Sequence, residues 1–408
     1  MKKFHSCWYI LTAVAFFWDG SLAIGQDWNT SSRRNAIQKP SSQPLSLDTL
    51  DSLGKSAKET ATGKTSTDFS LSQLDQASSE SDSSELVDFT PQSWTDNLRS
   101  TVDLSYRPIY SGRTGSFGGF AFAGIDLHKV FTDRKGDWGT LTFQAYWTRM
   151  DNQPPMPSIF DDDSDFELVY RILNFNYTGR GKGKTNFRIG HYEIPFGLEQ
   201  IVNTNGTIRD FTHDENFGFK SDWGVTFNGQ ASGVEYELGL SRGSGNEWRR
   251  RDDPFIVAGR IGTSRDQPVI LGISAFYGDV LSFEPAGGTI ERARVGTDFT
   301  FADEKLIWMG ELSAGFEDND RAYTALLEVD WTDAKETWLA YNQIVLRGFG
   351  RVTGWDNEFR NSIGVRWTPD QHWTFSSQIS HFFDALETET LAIDSRGTVL
   401  EFQTRYRF

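Results

Sequence analysis

Between Arg99 and Phe408 apolar and polar residues trade places at every second position, in stretches of about ten residues separated by turn formers. The last stretch shows the pattern in small. In VLEFQTRYRF, Leu400, Phe402, Thr404, Tyr406 and Phe408 share one face of an extended chain, and Glu401, Gln403, Arg405 and Arg407 share the other. Sixteen such stretches are expected, entering near Val102, Phe120, Thr140, Phe166, Thr185, Lys220, Val234, Phe255, Val269, Ile290, Leu306, Ala322, Trp338, Phe359, Trp373 and Val399. The expected fold is all-β, a closed transmembrane antiparallel β-barrel of about sixteen strands over residues 99–408, since an even strand number brings both ends to one rim.

A soluble sandwich also alternates, so the connections have to discriminate. Those at TDRKG (132), TGRGKG (178), NGQASG (228), TSRDQ (263), ADE (302), TDAK (332) and TPDQ (368) are short. The intervening ones, near 150–165, 195–218, 243–253, 279–289, 347–358 and 384–396, read as longer, and only EDND at 317 is short on that side. Short turns on the periplasmic side and long loops outside are the arrangement of an outer-membrane barrel. Tryptophan agrees with it: Trp331 and Trp338 flank one short turn, Trp367 and Trp373 another, and Trp138 follows a third, where an interfacial girdle would sit. The bland alternative is that Trp favours strands in general.

The aromatic end of the chain fits this setting. Phe402, Tyr406 and Phe408 form an alternating terminal signature of the kind by which the barrel assembly machinery recognises its substrates, and the same strand would close the barrel against the first one.

The opening residues, MKKFHSCWYILTAVAFFWDGSLAIG, have two lysines, an apolar core and small residues near the end, and predict a signal peptide over 1–25. The only cysteine, Cys7, falls inside it, so disulfides and thiolate metal sites are not expected. Residues 26–98, with stretches such as QASSESDSSELVDF, are expected to be a disordered periplasmic tail, with a short partner-binding helix at SLDTLDSL or FSLSQLDQ as the alternative. Beyond the signal no apolar run is long enough for a membrane helix. Of the net charge of −16, eleven acids and six bases lie in 26–98, and about −12 remains on 99–408, which speaks against a nucleic-acid partner.

If the apolar set faces outer-membrane lipid, the other set lines a polar interior. Arg107, Arg171, Arg188, Lys220, Arg260, Arg292, Arg294, Arg360 and Arg366 are the expected pore-lining cations, joined by Arg405 and Arg407 and interleaved with Asp103, Asp126, Asp222, Glu235, Glu237, Asp298, Glu311, Glu328, Asp330 and Glu401. Arg292 and Arg294 share a face and could be two rungs of an anion-selective ladder; the alternative is that they pair with Asp298 or neighbouring acids and brace the wall.

The most distinctive stretch is RIGHYEIPFGLEQIVNTNGTIRDF, 188–211. Pro195 cannot continue a ladder and Gly197 permits a sharp turn, so the long connection that follows is the candidate constriction, carried by Pro195, Phe196, Gly197, Leu198, Glu199, Thr204 and Arg209. Through Gly190, Tyr192, Pro195, Phe196, Gly197, Leu198 and Glu199 the chain resembles the phosphate-selective porin O and P family. The resemblance implies a homotrimeric outer-membrane channel, reached by export, that passes small anions such as phosphate or polyphosphate without a cofactor. The chain departs from the family after Glu199, where QIVNTNGTIRDFTHDEN replaces a Thr-Ser-Ser segment and Arg209–Asp210 replace a Glu-Arg pair. A general non-selective porin and a non-conducting binding barrel are the alternatives.

Other chemistry is thinly represented. DDDSD at 161–165 lacks the Gly and Glu of a calcium loop, and WRRRDDPF at 248–255 reads as self-neutralised. Ser380 and His381 are adjacent in a strand, which points them to opposite faces and denies them a shared proton. His128, His191, His213 and His372 have no metal-like spacing. No enzymatic activity or metal site is expected.

Overall fold

The computed structural model describes residues 93–408 except 135, 152–165, 179–184, 205, 248–251, 282–287, 352–353, 385 and 387–395. The signal segment with Cys7, nearly all of the 26–98 tail, DDDSD and the arginines of WRRRDDPF lie outside the described residues.

The described strands are β1 (Leu98–Ser111), β2 (Ser116–Asp133), β3 (Gly136–Asp151), β4 (Phe166–Tyr177), β5 (Asn186–Glu193), β6 (Ser221–Ala231), β7 (Val234–Ser241) and β8 (Phe255–Thr263). They continue as β9 (Val269–Leu281), β10 (Thr289–Asp303), β11 (Leu306–Glu317), β12 (Asp320–Thr332), β13 (Trp338–Arg351), β14 (Gly354–Trp367), β15 (Trp373–Asp384) and β16 (Gly397–Arg407). Each strand is antiparallel to its sequence neighbours and β1 pairs with β16, so the sheet closes as the strand pattern predicts. Every expected strand is present; the entry point differs most for β14, found at Gly354 against Phe359. Most strands run longer than expected, up to 18 residues in β2, because hairpin ladders persist past the apolar band, whereas β5 and β7 have 8 residues each and β8 has 9.

Closure reaches the last residue. The Val102 amide donates to the Phe408 carbonyl at 2.7 Å and the Phe408 amide to the Val102 carbonyl at 3.1 Å. Along the rim where β1 begins and β16 ends, here the lower rim, aromatic rings stand in an unbroken row from Trp338 through Trp367, Phe375, Trp373 and Tyr406 to Phe408, with centroids 4.6 to 5.7 Å apart. Phe402 and Phe408 are exposed on the outer surface. Deleting Phe408 removes two ladder bonds and one end of this row; the expected result is a marked fall in folded, heat-modifiable barrel recovered from membranes, and wild-type recovery would contradict it.

The β6–β7 turn at the lower rim is tight. Ser232 (φ 52°) and Gly233 (φ 79°) make a two-residue hairpin loop of the kind that needs positive φ at both central positions. The upper rim corrects one expectation. Residues 347–358 are not a long loop: β13 runs to Arg351 and β14 starts at Gly354, and the β1–β2 connection at 112–115 is short as well. Glycines of this segment are ladder positions crossed by aromatic rings; a Cβ on Gly348 would stand 2.6 Å from the Tyr323 ring, and one on Gly350 3.3 Å from Trp355.

The interior is also less uniformly polar than expected. Ile270, Ile307, Met309, Leu326 and Val345 face inward and pack on Leu198, Ile201 and Phe211, and Ile256, Ala258, Phe276 and Val280 do the same on Ile194, Phe196, Phe217 and Phe219. A third inward cluster joins Phe120, Phe122, Tyr146 and Met150. The first two exist because the β5–β6 connection, residues 194–220, folds into the barrel and must bury its own apolar side chains there.

Candidate functional site: the inward loop and the inner wall

The loop starts where Pro195 ends the β5 ladder. Gly197 then adopts φ 58° and ψ −156°, and a Cβ there would lie 2.0 Å from Glu311 Oε2, so both backbone and space require glycine. The turn aims backbone donors at the wall: the Gly197 amide donates to Ser274 Oγ (3.0 Å) and the Leu198 amide to Glu311 Oε2 (2.7 Å). Leu198–Gln200 form one 3-10 turn, and His213–Phe217 form a short helix, α1.

Glu311 of β11 is the hub of the anchorage. Besides the Leu198 amide it accepts from Thr212 Oγ1 (2.5 Å) and Asn216 Nδ2 (3.4 Å), and Ser313 Oγ donates to Asn216 Oδ1 (2.9 Å). Further along, Arg209 Nη1 reaches Glu328 (2.5 Å) and Asp330 (3.0 Å) on β12. Gln343 of β13 brackets the Asp210 backbone, accepting from its amide (3.2 Å) and donating to its carbonyl (2.6 Å), while Arg360 of β14 pairs with the Asp210 carboxylate at 2.7 Å. Arg347 bridges Glu215 (2.5 Å) and Glu358 (2.7 Å). On the far side Arg107 of β1 donates to the Thr207 carbonyl (2.8 Å), and a Cβ on Gly206 would stand 2.3 Å from Arg405 of β16. The loop therefore leaves β5, lies along β9 to β14 and reaches β16 and β1, spanning the lumen.

A second set of contacts ties the loop to itself. Glu199 pairs with Lys220, accepts from the His213 amide (2.9 Å) and Thr204 Oγ1 (3.1 Å), and lies 3.3 Å from His213 Nδ1. Burial alone would raise the Glu199 carboxyl, but Lys220 and His213 overcome it and hold it far below the usual carboxylate range. For His213 burial works downward, and the Glu199 charge prevails and raises it. The depressed Glu199 stabilises the clip above the ordinary carboxylate pKa and loses that contribution as pH falls through its folded value; the raised His213 contributes below about pH 6.5 and stops contributing as pH rises through its folded value. The groups facing this pair from neighbouring elements are Lys220, Thr204 and Glu311. With the intrinsic base-catalysed rate divided out, the protection of amides in 194–220 is accordingly expected to be highest in mildly acidic buffer and to fall on the alkaline side. A His213→Gln variant should lose that alkaline fall in protection, and equal pH dependence of protection in both proteins would count against the clip.

The expected constriction residues Pro195, Phe196, Gly197, Leu198, Glu199, Thr204 and Arg209 are all buried inside the barrel. The expected pore-lining cations share a different fate. Arg107 lies 3.9 Å from Glu401, Arg171 meets Glu193 and Gln144, Arg188 meets Glu237 (3.1 Å), Lys220 meets Glu199, and Arg260 makes two contacts to Asp298 (2.9 and 2.6 Å). Arg292 and Arg294 are 1% and 2% exposed and converge on Glu317 at 3.0 and 3.6 Å. Both thus pair with a neighbouring acid on the adjacent strand, Glu317 of β11, and Asp298 pairs with Arg260 instead. Arg366 alone of the nine has no carboxylate within ion-pair distance among the described residues; it is half-buried, near Arg209, Asp330, Tyr341 and Arg405.

Gln343, Arg347 and Glu358 were missed by sequence reasoning. The last two sit in the segment read as a loop, where inward and outward positions cannot be assigned. Ser380 Oγ faces inward to Ser362 Oγ (2.8 Å), while His381 Nδ1 meets Thr398 Oγ1 on the outside (3.0 Å), on opposite faces as the alternation requires. No group of three or more His, Cys, Asp and Glu residues suited to a metal ion occurs among the described residues.

No known family profile matches the chain, and no curated protein matches it by sequence. Solved structures do match. The trimer form of OmpT, an outer membrane protein of Vibrio cholerae, superposes with TM-score 0.55 at 9% identity over 76% of this chain and 99% of the other. The anion-selective porin from Comamonas acidovorans gives 0.55 at 10% identity over 76% and 99%, and OprB from Pseudomonas putida gives 0.54 at 8% identity over 76% and 94%. The class defined by these likenesses is the fold of outer-membrane porins, a closed barrel of sixteen strands. The narrower resemblance to the phosphate-selective porin O and P family rests on the run from Gly190 to Glu199 alone.

Proposed function

We propose that the chain is an outer-membrane porin through which small hydrophilic solutes diffuse passively, with pore width set by the loop at 194–220. The observation that carries this reading is the loop itself: a segment that leaves the upper rim, crosses the lumen and is fastened to the inner wall by Glu311, Glu328, Asp330, Gln343 and Arg360. The barrel's porin likeness and its apolar, aromatic-rimmed outer surface support a place in the outer membrane, reached through the signal segment and the assembly machinery. A homotrimer is proposed with it, supported by the trimeric V. cholerae relative in fold.

Selectivity is proposed to be weak. Eight of the nine candidate cations are already neutralised or held by the protein, and a guanidinium engaged by a carboxylate offers little field to a passing anion. A second reading, preference for small anions including phosphate, is favoured by one observation, the unpaired Arg366. The reversal potential in a planar bilayer under a potassium chloride gradient separates them. Weak selectivity in wild type that is unchanged in Arg366→Ala supports the general pore. A strong anion preference that Arg366→Ala abolishes would install the second reading.

A further inference from the structure

Beneath the loop, at the lower rim, a cavity of about 220 Å³ opens between β5, β6, β7 and β8. Its walls are polar. Asn186 and Asn228 come from β5 and β6, Gln230 from the end of β6, and Gln200 reaches down from the loop. Asn186 Nδ2 donates to Asn228 Oδ1 at 3.1 Å, which holds these two amides in fixed orientation.

The charges around the cavity cancel in place. Arg188 lies 3.1 Å from Glu237, Arg265 3.1 Å from Glu235, and Arg260 holds Asp298 through two bonds. A free anion would have to displace a seated carboxylate, and a cation a seated guanidinium. The neutral amides keep capacity in hand. Gln200 commits Nε2 to Glu237 (2.7 Å) and Gln230 commits Nε2 to Ser264 Oγ (2.7 Å), so each side-chain carbonyl and one further N–H remain to face the cavity.

We propose that this cavity is a binding subsite for a neutral polyhydroxylated solute the size of a single sugar ring. Each hydroxyl of such a solute both donates and accepts, and planar amides beside fixed ion pairs offer donors and acceptors at neighbouring points. The volume lies below the range of about 300–1,000 Å³ that takes drug-sized ligands, which suits one ring. Placed just past the constriction, the subsite names a substrate class for the porin reading and rests on that reading only for the traffic through it.

The test is equilibrium dialysis of the detergent-solubilised full chain against radiolabelled D-glucose, with inorganic phosphate as competitor. Saturable glucose binding is expected. It should weaken about fivefold in Gln200→Ala and in Gln230→Ala, the loss of roughly one neutral hydrogen bond each, with folding of both variants checked by heat-modifiable migration. Phosphate at equal concentration should not compete. Absence of saturable binding by folded wild type, binding indifferent to both substitutions, or displacement by phosphate would each overturn the subsite. Bilayer conductance of the same preparation keeps the two ideas apart: a conducting protein that does not bind glucose sinks the subsite alone, and a glucose-binding protein that does not conduct sinks the porin reading alone.

Discussion

Arg209→Met is expected to unseat the inward loop while leaving the barrel folded. In wild type the guanidinium sits between Glu328 and Asp330, which are each 0% exposed, and its planar group also lies 5.5 Å from the Phe211 ring and 5.8 Å from that of Tyr341. Methionine keeps much of the apolar stem but strands two buried carboxylates side by side. Breaking a buried ion pair from one side costs about 3–5 kcal/mol, because the remaining charge has lost its counter-ion; Glu328 would keep only the neutral bond from Gln343 Nε2 (2.6 Å). The cheapest relief is for the loop to lift and admit water. The expected readouts are faster proteolysis within 194–220, raised single-channel conductance, and unchanged heat-modifiable migration of the barrel. Acidification should restore part of the loss, since protonating the stranded carboxylates removes the repulsion. A variant with wild-type proteolysis and conductance would show that Arg209 does not hold the loop.

The second large effect is expected at Gly197. In Gly197→Val the residue must hold φ 58° with a branched side chain, a strain of about 1–3 kcal/mol, and its Cβ collides with the Glu311 carboxylate. Pushing Glu311 aside also orphans the Leu198 amide and Thr212 hydroxyl, at about 1–3 kcal/mol for each buried group left unbonded. The chain should fold as a barrel with the loop displaced at its first turn, so hydrogen exchange should rise at 197–200 and at 212–216 together. A rise confined to 197–200 would mean that Glu311 is not the shared anchor of the two segments.

These effects concentrate in the loop because the barrel itself is specified redundantly. Its sixteen strands were legible because most keep a period of two, as in β10, where Val295 and Phe299 are exposed and Arg294 and Asp298 beside them are buried. The pairing of Phe408 with Val102 follows from the need to leave no open edge. The apolar character of the inner face was not legible where the folded-in loop covers it, although the strand itself begins at Val269 as expected. In VILGISAFYGDVL of β9 both parities are apolar, because Leu271 and Ile273 face outward while Ile270 and Phe276 pack under the folded-in loop. Such a strand announces that something covers its inner face, although not what.

The site was legible in outline only. Pro195 and Gly197 mark a break in the ladder that any reading of local backbone chemistry finds, and the long polar connection after them is where an inward loop belongs. The partners were not legible, since most sit on strands far away in sequence, 77 positions for Gly197 and Ser274. For the same reason the sequence left two readings open for Arg292 and Arg294, rungs of a ladder or pairing with neighbouring acids. Sequence parity shows which face an arginine takes, whereas its pairing, as with Arg292 and Arg294 on Glu317, depends on how neighbouring strands are staggered.

The central claim is that the loop narrows a conducting pore without sealing it. Single-channel conductance in planar bilayers tests it most directly, comparing wild type with a chain in which residues 198–216 are replaced by a short Gly-Ser linker. Both proteins are predicted to conduct, the shortened one through a wider pore and with a larger unit current. Equal currents, or a wild type that stays closed while the shortened chain conducts, would contradict the account.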